Sequence, residues 1–237
     1  DLASSSGAGT IDTLAQYVAW AVLKGKAYIT DGIRRAPLVV DGRSAFASTL
    51  TSKAGGQVPP RCKLACDFQG RLVLARSLAD PTTIYFSEKG DPTGWDLRPN
   101  VPTVKQAFDL SLARSRGTPP DIVQAIYSIN DDLMVVGCQT SMHRVSGDPA
   151  QGALVHQITN ATGCAFGRSI CNDEKGNIFF ASFPEPGVWA MAPGGLNPIS
   201  ITETRILNDL GAIDWATSTL ELIWDPQREG LWLVQIP

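Results

Sequence analysis

Polar and apolar positions alternate along this chain in short blocks. Runs of β-branched and aromatic residues are broken every few positions by Gly, Asp-Gly or Asp-Pro, the pattern of successive hairpins. Residues 17–23, 27–30 and 38–40 form a first set, separated by Lys24-Gly25-Lys26 and Asp31-Gly32 and closed by Asp41-Gly42. Residues 63–68, 71–75 and 83–87 form a second set, and 122–129, 133–136, 141–145 and 153–158 a third. The fourth is 168–172, 178–181 and 187–191, and the fifth is 220–224 with 231–236. Between them, 44–60 and 96–120 read as loops rich in small polar residues and proline. Ile206, Leu207 and Leu210 fall at i, i+1 and i+4, with Gly211 behind them. That spacing predicts one short helix near 202–214.

The sets share a register. A turn follows the first long strand of each, at Gly25, Gly70, Asp131, Gly176 and Gly230, and successive differences in residue number are 45, 61, 45 and 54. Propeller blades of about four strands recur at roughly 40–50 residues. The 96–120 segment and the helix account for the two longer intervals. Each turn is followed by a dense apolar run (71–75, 132–136, 177–181 and 230–234), which suits strands covered on both faces by neighbouring blades. A sandwich of hairpins would also give strand-turn-strand units. The common register of five sets instead predicts an all-β, β-propeller-like fold of about five blade units with its last unit half-built. Residues 1–16 are expected to be a flexible arm or an added strand, and 17–237 one propeller domain carrying 44–60 and 96–120 as insertions. The first residue is not methionine and 231–237 reads as a strand with no partner after it, so the chain is expected to be processed or part of a longer one.

One phrase occurs twice. Residues 85–95 read Tyr-Phe-Ser-Glu-Lys-Gly-Asp-Pro-Thr-Gly-Trp, and 142–149 read Met-His-Arg-Val-Ser-Gly-Asp-Pro. Each is a short strand, a small polar residue and then Gly-Asp-Pro. Glycine admits positive φ, Asp91 and Asp148 can accept from their own downstream backbone, and proline presets φ. The signature is structural.

The chemistry is sparse. A net charge of −3, from 20 Lys and Arg against 23 Asp and Glu, offers no basic excess for phosphate neutralisation. No apolar run reaches the roughly 18 residues of a membrane span. The five cysteines are Cys62, Cys66, Cys138, Cys164 and Cys171. Cys62 and Cys66 share a strand face too far apart to bond comfortably. With two histidines, His143 and His156, and no Cys-x-x-Cys pair, no zinc site is expected, and the thiols read as free and mostly buried in a reducing compartment. The pair Asp131-Asp132 could serve metal or acid–base work, but between two apolar strands it reads as a solvated turn. Asp91 and Asp148 lack the several oxygens at short spacing that a calcium loop needs. Arg34-Arg35 and Arg114-Ser-Arg116 are loop cations, read as a solvated face. No nucleophile-elbow or phosphate-loop motif occurs. No catalytic, metal or cofactor residue is therefore assigned, and the chain is not expected to be an enzyme.

The two Gly-Asp-Pro phrases add a resemblance. Together with 126–137 (Ile-Tyr-Ser-Ile-Asn-Asp-Asp-Leu-Met-Val-Val-Gly), the later Gly163-Cys164 step and the Trp-Asp-Pro-Gln-Arg turn at 224–228, they are similar to the β-propeller tail proteins of tailed bacteriophages. The resemblance covers about residues 60–237. It implies a structural component of the virion, a tail tube, nozzle or hub protein made in the host cytoplasm. Its partners would be copies of itself and neighbouring tail proteins in a ring, with passive contact to DNA in a channel and no membrane or small-molecule ligand. Two other readings stay open: a propeller that binds host-surface carbohydrate, which would draw on Trp20, Trp95, Trp189, Trp215, Trp224 or Trp232, and a propeller hydrolase with acids from several blades.

Overall fold

The computed structural model describes residues 10–43, 47–112, 121–182, 185–193, 195, 197–202, 204–214 and 218–236. They fall into two compact units. The first takes the described part of 1–120 with the turn segments 130–132 and 147–153, and the second takes 121–129, 133–146 and the described part of 154–237.

In the first unit β1 (Ala19–Leu23), β2 (Lys26–Thr30), β3 (Leu38–Asp41) and β4 (Ala47–Thr49) form one antiparallel sheet in chain order. The next sheet repeats that order with β5 (Cys62–Phe68), β6 (Arg71–Ser77), β7 (Thr83–Phe86) and β8 (Phe108–Ser111). Both are four-stranded meanders, the plan of a propeller blade. Ala21 and Tyr28 of the first sheet pack with Leu72 and Leu74 of the second, and Trp95 closes the same cluster. Within β6 every residue except Arg76 is buried, so both faces are covered. Burying each leucine contributes roughly 1.5–3 kcal/mol.

In the second unit β9 (Val123–Asn130), β10 (Leu133–Cys138), β11 (Met142–Ser146) and β12 (Leu154–Thr159) make a third meander, and β13 (Ile170–Asn172), β14 (Ile178–Ser182), β15 (Gly187–Met191) and β16 (Ile199–Ser200) a fourth. Val135, Met142, Ile170, Ile178 and Phe180 form the core between these two sheets. The helix α1 (Thr204–Gly211) follows, and then the hairpin β17 (Thr219–Asp225) with β18 (Gly230–Ile236). Leu220, Leu222, Leu231 and Leu233 pack the hairpin on the fourth sheet, with Leu210 of the helix in the same cluster.

All five turns picked out by the repeat join the first and second strands of a sheet. The half-built fifth unit is a two-stranded sheet among the described residues. The two expected loops each contain a strand. β4 lies within 44–60 and β8 within 96–120, each the outermost member of its sheet. An outer strand needs one partner and half a face of contact. Ala-Ser-Thr and Phe-Asp-Leu-Ser therefore carry almost no strand signal of their own. The helix is shorter than 202–214, and of its apolar trio Leu210 is buried while Ile206 and Leu207 stay exposed. Residues 1–9 of the expected arm, 44–46, 113–120 with Arg114 and Arg116, and Trp215 lie outside the described residues.

Candidate functional site

The repeated phrase builds a well-connected polar site in the first unit. In its first copy, β7 runs into Ser87. The hydroxyl of Ser87 accepts from the Leu72 amide at 2.9 Å, and its carbonyl accepts from Arg71 Nη1 at 2.9 Å. Gly90 then turns the chain at φ +76°. Asp91 accepts from the Thr93 amide at 2.9 Å and the Thr93 hydroxyl at 2.7 Å. Lys53 closes over the turn, 2.6 Å from Glu88 and 2.7 Å from Asp91. Trp95 is driven inward by its area and satisfies its indole N–H on the Pro92 carbonyl at 2.8 Å.

The second copy turns at Gly147, φ +84°. Asp148 accepts from the Ala150 amide at 3.0 Å and then faces two cations, Arg71 Nη2 at 3.0 Å and Lys89 Nζ at 3.1 Å. Lys89 belongs to the first copy of the phrase, so the two copies meet through this acid. Arg71 is fully buried. Besides Asp148 and the Ser87 carbonyl, it donates to the carbonyls of Gln106 at 2.7 Å and Lys105 at 3.3 Å. Burial lowers the pKa of Arg71 and the Asp148 charge opposes that shift. For Asp148 burial pushes upward, but the Ala150 amide, Lys89 and Arg71 together hold its carboxyl below the ordinary range. A buried guanidinium whose Nη groups donate to carbonyls and one carboxylate is a structural tie.

Several other acids are occupied in the same local way. Asp31, Asp41, Asp80, Asp173 and Asp225 each accept the backbone N–H two residues on, as Asp91 and Asp148 do. This is Asx-turn chemistry, with the carboxylate committed to its own turn. Asp131 and Asp132 are exposed in the turn between β9 and β10, where the Asn130 side chain accepts the Asp132 amide. No group of three or more His, Cys, Asp or Glu that could hold a metal occurs among the described residues.

His143 and His156 sit on adjacent strands, with His143 opposite Gln157 and His156 opposite Arg144. His156 is exposed. His143 joins a network that spacing did not reveal: its Nε2 lies 2.9 Å from Ser141 Oγ, which donates to Asp121 at 2.5 Å. Asp121 also accepts from the amide and hydroxyl of Thr140. The residue types are those of a nucleophilic triad, but the order is different. Here the carboxylate binds the serine, whereas a triad's acid binds the histidine. Ser141 is also fully buried. The network fixes the turn from β10 into β11.

The five cysteines are free, four of them buried and Cys66 half-buried. Burial pushes the thiols of Cys62, Cys164 and Cys171 up to about 12 and raises that of Cys66 as well. These thiols are un-ionised at neutral pH and are not nucleophiles. The Gly163-Cys164 step is a packing device. A Cβ at Gly163 would strike the Gln139 carbonyl, and the Cys164 amide bonds to the Cys138 carbonyl at 2.8 Å.

The described tryptophans have different surroundings. Trp95 is core, the Trp224 ring stacks on Phe179 at 5.7 Å, and Trp232 donates to Asp225 with Arg228 over its ring at 5.3 Å. Trp20 is half-exposed on β1.

No protein-family model matches this chain, and no curated protein matches it. Solved structures do. The extracellular domain assigned to the hybrid two-component system BT4673 of B. thetaiotaomicron superposes with a TM-score of 0.59 at 9% identity, over 92% of this chain and 26% of its own. The corresponding domain of BT3049 from the same organism gives 0.51 at 14% identity, over 89% and 24%. This chain therefore spans about a quarter of the length of either. At that identity the likeness shows the fold alone, and with the succession of meander sheets that fold is β-propeller-like.

Proposed function

We propose that this chain is a structural protein of a bacteriophage tail, a tube, nozzle or hub component that works through protein–protein contacts in a ring-like assembly. The observation that carries this reading is the union of the two Gly-Asp-Pro phrases. The phrases that resemble phage tail propellers are the ones joined through Asp148, Lys89 and the buried Arg71. Their acids serve the scaffold. Apolar surface supports the contact role. Leu154 and Val155 are exposed on the outer strand β12, and Val101 and Val104 are exposed on the loop before β8. Exposed side chains on loops and outer strands are where binding contacts form. Copies of the chain and neighbouring tail proteins are the partners in this reading.

Gold-labelled antibody against the chain, applied to purified virions and viewed by electron microscopy, tests it. Label in a symmetric ring at the tail is the expected result. Absence of label from both intact and disrupted particles would overturn it, and a glycan array would then probe the carbohydrate reading.

A further inference from the structure

The first unit contains a cavity of about 560 Å³ between residues 34–36, which lie between β2 and β3, and residues 49–58. Its volume falls in the range of ligand-sized sites, roughly 300–1,000 Å³. Leu50 and Val58 give it an apolar floor, and both belong to the core cluster of Tyr28 and Trp95. Thr51, Ser52 and Gln57 supply polar groups at the rim.

Two arginines stand at one end, and they differ. Arg34 is engaged: its Nε lies 3.6 Å from Asp31 and its Nη2 donates to Thr10. Asp31 in turn accepts from the amides of Ile33, Arg34 and Asp12, so it has nothing left for a second cation. Arg35 uses its carbonyl to accept the Arg61 amide at 3.1 Å. Its side chain is exposed, and no acid among the described residues pairs with it.

A guanidinium with no acid partner among the described residues, beside an apolar floor, fits a ligand that brings a carboxylate and an apolar group together. The lining contains no aromatic ring. It therefore offers neither a platform for a sugar face nor a stacking surface for a base. Resting on the assembly role above, we propose that this cavity receives an extended acidic and apolar peptide segment of a neighbouring protein. In that arrangement the segment's carboxylate pairs with Arg35, its apolar side chain lies on Leu50 and Val58, and its backbone bonds to the polar rim.

The test is calorimetric titration of the whole chain with the capped peptide acetyl-Gly-Leu-Asp-Leu-Gly-amide. The same peptide with Lys in place of Asp, glucuronate, and oligothymidylate serve as the other probes. The acidic peptide should bind, the lysine peptide should not, and Arg35→Glu should weaken binding about tenfold or more. Because Arg35 is exposed, the variant should keep its melting temperature. Gln57→Glu, a second repulsive charge at the rim, should weaken binding as well. Equal binding to the Arg35→Glu protein, no binding of the acidic peptide at millimolar concentration, or preference for glucuronate or oligothymidylate would overturn the proposal. A labelled tail without peptide binding removes only this inference. Peptide binding without a labelled tail removes only the tail assignment.

Discussion

The two Gly-Asp-Pro turns share a sequence and differ in what their aspartates do. Asp91 looks inward on its own turn: it holds Thr93, and Lys53 lies over it at the surface. Asp148 holds its own turn through Ala150 and then reaches a fully buried arginine from a sheet laid down far earlier in the chain. The same three residues can thus act as a local fastener or as one end of a long-range tie. What decides is the neighbour. Lys53 is a half-exposed cation that water already satisfies, whereas Arg71 has no water to turn to.

That contrast predicts unequal costs. Asp148→Ala strands the buried Arg71 charge and should destabilise the first unit by about 3–5 kcal/mol, the usual penalty for removing one partner of a buried pair. Asp91→Ala removes a turn bond and a solvated ion pair and should cost about 1–2 kcal/mol. Urea unfolding of both variants, followed by tryptophan fluorescence, measures the difference. Equal costs would mean that solvent, or the Ser87 and Gln106 carbonyls that Arg71 already holds, compensates its charge.

Acid should separate the same two residues. Burial pushes Asp91 upward, but the hydrogen bonds from Lys53 and Thr93 outweigh it and hold the carboxyl at about 2. Its folded pKa is thus below the unfolded value of about 3.9. Asp91 therefore contributes stability above about pH 4 that is lost as pH falls toward 2. Asp148 is lowered too, with Lys89 and Arg71 among the causes. Unfolding midpoints measured from pH 5 to pH 2 should fall steeply in the parent and less steeply in Asp91→Asn. High salt should flatten the Asp91 share first, because its partner Lys53 is exposed and screened. A slope unchanged by Asp91→Asn would remove Asp91 from the acid response.

The sequence made the turns legible because their chemistry is local. Gly90 and Gly147, Asp91 and Asp148, and Pro92 act within a few residues of one another. The five strand-turn-strand sets follow from the same short-range rules, so the blade plan could be read before any coordinates. The ties could not be read in this way. Arg71 and Asp148 are 77 positions apart, and nothing in Arg-Leu-Val-Leu announces a buried guanidinium. The network of Asp121, Ser141 and His143 was equally hidden, as was the difference between the engaged Arg34 and the exposed Arg35. Dense apolar strands also misled in one case. β6 and β18 look alike on paper, yet β6 is covered on both faces while Trp232, Val234 and Ile236 of β18 remain exposed. Periodicity reports that a strand can be buried, not whether a neighbour covers it.

The smallest predicted effect isolates the backbone from the side chains. Gly90 and Gly147 both hold φ in the left-handed region, and a Cβ at either would meet no atom closer than 3.8 Å. Space is therefore no obstacle, and Gly90→Ala and Gly147→Ala should each cost about 1 kcal/mol, the strain of an L-residue at positive φ. Equal losses in urea unfolding would show that the two turns make the same backbone demand and that their difference lies wholly in the partners of Asp91 and Asp148. A loss at Gly147 approaching that of Asp148→Ala would show instead that bending this turn also withdraws Asp148 from Arg71. The turn and the tie would then be one cooperative element, and the first copy would be the simpler of the two.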